Sequence, residues 1–108
     1  MQARIFPAAE SRLIEIWDYT LRKWGQEQAD SYVEDLIAAI HDAPNRRTSW
    51  RPVPDKSLRG VWFIRHRHHF VFFRELPSGC LGVISILHES MDLPARLKED
   101  AGQTVQQT

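Results

Sequence analysis

Three β-strands are predicted by the stretch GVWFIRHRHHFVFFRELPSGCLGVISIL, residues 60–87. We expect them at residues 60–65, 69–74 and 81–87, where Val, Ile, Phe and Trp accumulate. Only a hairpin can join the first two strands, because three residues separate them, and a Leu-Pro-Ser-Gly turn precedes the third. The first two runs do not alternate apolar with polar residues, so both faces of the sheet need to be covered.

Two helices and a short strand are predicted before this sheet. Apolar residues recur every three or four positions over residues 8–24 and again over residues 29–40, which is the spacing of an amphipathic helix. Gly25 ends the first helix and Pro44 follows the second, so the two helices are expected to fold back as a hairpin. The extended run at residues 4–6 predicts an edge strand.

The chain end contains a third helical pattern. Asp92 is expected to cap a short helix that ends at Glu99, and we predict one domain, residues 1–98, with a flexible tail, residues 99–108. The fold class is α+β with two layers: an N-terminal strand, a helical hairpin on a mainly antiparallel sheet, and a short C-terminal helix. Because the hairpin covers one face, we expect the C-terminal segment or another polypeptide to cover the other.

Charge is unevenly distributed along the 108 residues. The net charge is zero, yet residues 1–45 carry −4, residues 46–74 carry +7 and residues 75–108 carry −3. The basic section predicts attraction to nucleic acid or to an acidic protein. The alternative is that the charged loops only keep an apolar sheet soluble. No run is long enough to span a bilayer, the first residues do not resemble a secretory signal, and the lone Cys80 cannot form an internal disulfide. We therefore expect a cytoplasmic protein.

The histidines and tryptophans have simple structural interpretations. Histidines 66, 68 and 69 are expected in solvent at a hairpin tip, and no metal site is expected there because arginines 65 and 67 would repel a cation. Trp17 and Trp24 are predicted to be core residues, whereas Trp50, in a polar loop, is predicted to contact a partner.

Three groups of residues, in this order along the chain, resemble ParE-type toxins of the RelE/ParE superfamily of bacterial toxin–antitoxin modules. One is similar to that family's helical hairpin, the next to its strand pair and the last to its closing segment, and the resemblance extends over about residues 5–98. The residues that carry it are LIEIWDY (13–19) with Trp24, Gly25, Gln28, Ala29 and Tyr32, then Arg59 and Gly60 with FVFFR (70–74), then ILHESMD (86–92) with Leu97.

The resemblance implies a plasmid-stabilisation type of toxin that inhibits DNA gyrase without being an enzyme. It implies neutralisation by a ParD-like antitoxin, whose extended and helical arm would bury surplus apolar surface. It implies no catalytic residue, no cofactor, no metal and no sequence-specific contact with nucleic acid. On this resemblance, the candidates for the toxic surface are Arg59, Arg65, Arg74, His88, Met91, Asp92 and Leu97. The candidates for antitoxin binding are Trp17, Tyr32, Trp62, Phe70 and Phe72.

The alternative is a ribosome-dependent mRNA endoribonuclease of the RelE type. RNA cleavage without a metal needs cations for the phosphate and groups that move protons. The candidate residues are Arg59, Arg65 and Arg74 for phosphate, His66, His68, His69 or His88 for proton transfer, and Glu75 or Glu89 as base. RelE toxins favour loop lysines and a tyrosine near the C-terminus, whereas Tyr19 and Tyr32 lie in predicted helices, so we favour gyrase inhibition. A toxin fold whose activity has been lost is a third possibility.

Overall fold

The computed structural model describes residues 2–106, which form three helices and a five-stranded sheet. The helices are α1 (Pro7–Trp24), α2 (Gln26–Asp42) and α3 (Leu93–Gln106). The strands are β1 (Ala3–Ile5), β2 (Arg51–Pro52), β3 (Val61–His66), β4 (His69–Glu75) and β5 (Leu81–His88). Short 3-10 turns at Ala43–Asn45, Arg47–Ser49 and Lys56–Leu58 lie on either side of β2.

The sheet is mixed and has the strand order β1-β5-β4-β3-β2. Strand β1 pairs with β5 in parallel, and the other neighbours are antiparallel. The predicted edge strand, hairpins and α+β class are therefore confirmed, and the limits of β3, β4 and β5 agree with the prediction to within one residue. The predicted break between the helices is also confirmed, since Gly25 has φ of 95°, a conformation that glycine adopts without strain.

The helical hairpin covers one face of the sheet, as its apolar spacing predicted. Leucines and isoleucines of α1 and α2 pack there against inward-facing residues of the strands. This core includes Leu13, Ile16, Leu36, Ile40, Val71, Phe73, Val83 and Ile86. Strand β5, which lies between β1 and β4, is buried throughout residues 81–87.

Helix α3 covers the other face of the sheet. Leu97 and Ala101 pack there against Phe72, Ile84 and Leu87. The predicted end of this helix was wrong: it continues beyond Glu99 to Gln106, so the first part of the predicted tail is folded. The last two residues of that tail, 107 and 108, lie outside the described residues. The helix is longer than predicted because Asp100 and Ala101, which follow its predicted end, are buried.

Two tryptophan predictions were wrong. The side chain of Trp24 is 66% exposed, because Trp24 is the last residue of α1 and extends beyond the core. Trp50 is buried, since the 3-10 turns after α2 return the chain over the helix-covered face. Its indole N–H donates to the carbonyl oxygen of Ala43 at 2.9 Å, and its ring lies 4.8 Å from that of Phe73.

An ion pair joins the two helical layers at the edge of the sheet. Arg12 of α1 donates to both carboxylate oxygens of Asp100 in α3, at 3.0 and 3.1 Å, and the Ser85 hydroxyl donates to the same carboxylate at 2.6 Å. The Arg12 and Asp100 side chains are 14% and 4% exposed. This hydrogen bond with Asp100 raises the pKa of Arg12. A nearly buried charge is tolerated only when it is paired in this way.

We predict that Asp100→Ala lowers the free energy of unfolding by about 3 kcal/mol in urea denaturation. This is the lower end of the range for breaking a buried pair, because Arg12 keeps an exposed ion pair with Glu15. The matched control is Glu99→Ala, an adjacent and exposed carboxylate on the same helix, which we expect to change stability by at most about 0.5 kcal/mol. Equal losses in the two variants would contradict the role of the ion pair.

Candidate functional site

A cleft of about 620 Å³ lies between the α1–α2 hairpin and the strand ends near the β3–β4 turn. We call it the hairpin cleft. Its aromatic, imidazole and thioether side chains come from both helices, the two central strands and the segment after β5. They include Tyr19, Trp24, Tyr32, His69, His88 and Met91. The structure thus brings together one predicted antitoxin-binding residue, Tyr32, with two predicted toxic-surface residues, His88 and Met91.

The hairpin cleft leaves large apolar side chains in contact with water. Trp24 is 66% exposed, Tyr19 57% and Met91 37%. These residue types are enriched at protein interfaces, where their apolar area becomes buried. Tyr19 and Trp24 were not among the contact residues predicted from the sequence. A usable signal was the position of Trp24 directly before the helix-ending Gly25, where a side chain has little core to join.

His69 forms the inner wall of the hairpin cleft. Its Nδ1 atom shares a hydrogen bond of 2.6 Å with the Tyr32 hydroxyl, and its ring lies edge-on to His88 at 5.0 Å. The prediction that His69 is solvated was wrong, since it is 9% exposed. The reason is a turn of only two residues, with Arg67 at φ of 54°, which makes His69 the first paired residue of β4, opposite His66.

Burial, followed by the charges of the neighbouring histidines 88, 68 and 66, lowers the pKa of His69 to about 4. His69 is therefore neutral near pH 7. Burial also lowers the pKa of His66, whose ring packs edge-on against Tyr32 at 6.1 Å, and burial raises the pKa of Tyr32. The wall of the cleft is thus an uncharged pair of Tyr32 and His69, which suits an apolar partner better than an ionic one.

A charged cluster lies at the rim of the cleft. Glu89 accepts hydrogen bonds from Arg65 at 3.0 Å and from His68 at 2.9 Å when that ring carries its proton on Nδ1. The hydrogen bond with His68 and then the charge of Arg65 lower the pKa of Glu89, so its carboxylate remains ionised. Three of the residues that RNA cleavage would need are therefore in contact.

The remaining candidates for RNA cleavage lie elsewhere. Arg74 lies at the other end of the β3–β4 pair, opposite Val61, where it donates to the carbonyl oxygen of Arg59 at 3.4 Å. Glu75 pairs with Arg47 instead of facing a histidine. The predicted constellation is thus divided between the two ends of the sheet.

A second, smaller groove of about 310 Å³ lies on the face that α3 covers. We call it the α3 groove. Its walls are almost entirely apolar and include Phe63, Phe70, Phe72, Leu93 and Leu97. Of the predicted contact residues, Phe72 and Leu97 are buried, at 5% and 2% exposure, and form the floor because α3 packs on them. Phe70 is half-buried.

The other predicted contact residues have local structural roles. The indole N–H of Trp17 donates to Asp30 at 2.8 Å and so ties α1 to α2. Trp62 is half-buried against Trp50, with the ring centroids 5.9 Å apart. Asp92 lies directly before α3, and its Oδ1 atom is 3.5 Å from the backbone N–H of Ala95, as expected of a cap.

The part of the chain that the structure describes contains no group of three or more His, Cys, Asp or Glu side chains that could hold a metal ion. No helix in residues 2–106 is long and apolar enough to cross a membrane.

Comparison with known proteins identifies the chain as a toxin of a type II toxin–antitoxin system. The family model described as "ParE toxin of type II toxin-antitoxin system, parDE" matches residues 4–93. Toxin ParE1 of Mycobacterium tuberculosis is 34% identical over 91 residues, which cover 84% of this chain and 92% of that protein. Toxin ParE of Escherichia coli is 34% identical over 104 residues, covering 92% and 96%. The chain belongs to the ParE toxin family.

The fold itself has a solved counterpart. A chain of the chromosomal ParDE system from P. aeruginosa superimposes with a TM-score of 0.68 at 18% identity, covering 82% of this chain and 95% of that chain. The resemblance found in the sequence is therefore confirmed at the level of family and of fold.

We predict that stability falls with acidity because of His69. Between its usual pKa of 6.5 and its folded value of about 4, the unfolded chain binds a proton at His69 that the folded chain does not. Lowering the pH from about 7.5 to about 5 therefore favours unfolding by about 2 kcal/mol through this group. Urea denaturation at both pH values measures the difference. His69→Gln is expected to reduce this difference in unfolding free energy between the two pH values. His41→Gln, which alters an exposed histidine of α2, is expected to leave the difference unchanged. An unchanged pH dependence in His69→Gln would contradict the prediction.

Proposed function

We propose that this ParE-family toxin inhibits DNA gyrase, and that a ParD-like antitoxin neutralises it by covering the hairpin cleft. The observation that supports the antitoxin site is the exposure of Trp24 and Tyr19 beside an apolar cleft of about 620 Å³. An exposed aromatic patch of this kind marks an interaction surface. Membership of the ParE family, whose members are described as gyrase poisons, supports the target.

An amphipathic helix is the occupant that suits the hairpin cleft best. The cleft is bounded by helices on one side and by the uncharged Tyr32–His69 pair at its wall, so it can bury the apolar face of a partner helix. Arg67 lies at the rim, with its guanidinium 5.7 Å from the Tyr32 ring and in an ion pair with Asp35 at 3.6 Å. The exposed rings of Trp24 and Tyr19 would then lie against the centre of the bound helix.

The toxic action follows, in this proposal, from binding and not from catalysis. The groups that RNA cleavage would need are divided between the two ends of the sheet: Arg65, His68 and Glu89 at one end, Arg59 and Arg74 at the other. Stabilisation of the transition state requires the catalytic groups to surround one phosphate. A single phosphodiester cannot contact both groups of residues, because they lie at opposite ends of the strands. The protein would act in the cytoplasm, where its target functions.

We predict that Trp24→Ala weakens binding of the cognate antitoxin by about 30-fold or more, because truncation of a central interface tryptophan removes about 2 kcal/mol or more. Isothermal titration calorimetry with the purified antitoxin measures the change. The protein should remain folded, since Trp24 is 66% exposed. Arg22→Ala, on the same helix and equally exposed, serves as the control. Unaltered affinity in Trp24→Ala would exclude the hairpin cleft as the antitoxin site.

We predict that the purified toxin, at several-fold molar excess, inhibits DNA supercoiling by gyrase and traps broken DNA, and that added antitoxin restores supercoiling. Agarose-gel analysis of plasmid topology measures both effects. Transcripts are expected to stay intact when the toxin is added to translating ribosomes. Cleaved transcripts together with normal supercoiling would instead establish the RelE-type activity, and the absence of both effects would indicate an inactive toxin.

A further inference from the structure

Three phenyl rings form a cluster in the α3 groove, on the face of the sheet away from the hairpin cleft. The ring centroid of Phe63 lies 5.6 Å from that of Phe70 and 5.8 Å from that of Phe72. Phe63 and Phe70 are only half-buried, although α3 covers the neighbouring part of the same face. The groove therefore presents aromatic rings that a planar ligand can stack on.

Arginines surround these rings on the same face. In an antiparallel pair, residues directly opposite each other point to the same side of the sheet. Arg51 is opposite Phe63, and Arg65 is opposite Phe70, with its guanidinium carbon 5.5 Å from the Phe70 ring. Arg74 is opposite Val61, which belongs to the same apolar cluster. Arg65 and Arg74 thus lie at the two ends of the aromatic cluster, and Arg51 lies beside it on the edge strand β2.

Part of this positive charge is neutralised, because Arg65 pairs with Glu89 at 3.0 Å. Within the described part of the chain, Arg51, Arg59 and Arg74 form no ion pair with a carboxylate. The acidic side chain in the groove, Asp55, is bound by Ser57 and by Lys98, whose Nζ lies 3.4 Å away. These arginines thus account for part of the +7 charge of residues 46–74.

Aromatic rings flanked by arginines form a surface suited to unpaired nucleotides. Bases stack on the rings while the arginines hold the phosphates, and such binding tolerates any sequence because every base has a flat face. In a duplex the bases are already stacked on one another and cannot reach the rings. An uncharged apolar protein segment would use the rings but not the arginines, so the arginines favour a polyanion with flat groups that stack.

DNA suits this groove better than RNA. Discrimination in favour of RNA needs polar groups that bind the 2′-hydroxyl. The described walls offer one such side chain, Asp55, and Ser57 already donates to it. A 2′-hydroxyl buried against Val53, Pro54 or Leu58 would lose its hydrogen bonds to water without replacement. We propose that the α3 groove binds single-stranded DNA without sequence preference, on a surface separate from the hairpin cleft.

The test is fluorescence anisotropy of the full-length toxin with labelled oligothymidylate of about 12 nucleotides, a length within the site sizes of sheet-based single-strand binders. We expect saturable binding at low salt that is tighter than binding to a duplex or to oligouridylate of the same length. The logarithm of affinity should fall linearly with the logarithm of salt concentration, by about 0.7 for each phosphate contact. The result does not depend on whether gyrase is the target, so the two proposals can fail separately.

Matched variants locate the binding surface. Arg74→Gln is expected to reduce the salt slope by about 0.7, whereas Arg22→Gln, which removes an exposed charge from α1, leaves it unchanged. Phe63→Leu, which keeps an apolar side chain in the groove, should weaken binding by about fivefold or more. Tyr19→Leu, which removes an exposed ring from the hairpin cleft, should not weaken it. A thermal melt checks that each variant is folded.

Several results would overturn the proposal. Equal effects of Arg22→Gln and Arg74→Gln would indicate diffuse attraction without a site, and duplex binding as tight as single-strand binding would exclude base stacking. Tighter binding of oligouridylate would assign the groove to RNA. If no oligonucleotide binds at low salt, the proposal is wrong and the groove would instead be assigned to an apolar polypeptide segment.

Discussion

The structure depends on an inner strand, β5, that is buried on both faces. Residues 81–87 of β5 are all buried, so the sheet cannot leave one side in water. The α1–α2 hairpin covers one face and α3 the other, and Arg12 and Asp100 join the two helical layers beside Ser85. The fold is therefore a sheet between two helical layers, although the second layer is a single helix.

The same arrangement leaves two different surfaces open. Where the hairpin extends beyond the sheet, the hairpin cleft presents Trp24 and Tyr19 around an uncharged wall. Beside the first turns of α3, on the opposite face, the α3 groove presents phenyl rings near arginines. The first surface suits an apolar polypeptide and the second suits a flexible polyanion. Because the two surfaces lie on opposite faces of the sheet, occupation of one does not require that the other be empty.

The strands and the helical hairpin were predictable because their signals are local. Runs of β-branched and aromatic residues, a turn too short for anything but a hairpin, and apolar residues at steps of three and four each lie within a few residues of one another. Gly25 indicated the break between α1 and α2 in the same way, through its own backbone preference. The family could be recognised from the same segments, all of which lie almost entirely within the matched residues 4–93.

The sequence by itself thus determined the family and the order of the helices and main strands, although it missed the two-residue strand β2 and the end of α3. The tertiary structure decided which side chains are buried. Asp100 appeared to belong to a polar tail because its partner, Arg12, is 88 residues away. His69 seemed solvated at a hairpin tip, but Tyr32 of α2 packs over it. Trp24 fits the helical spacing and yet faces water, because α1 extends past the sheet. The spacing of apolar residues shows which secondary structure a segment forms. Whether a given side chain is buried depends on segments that are distant in the chain, and only the folded molecule specifies where those segments lie.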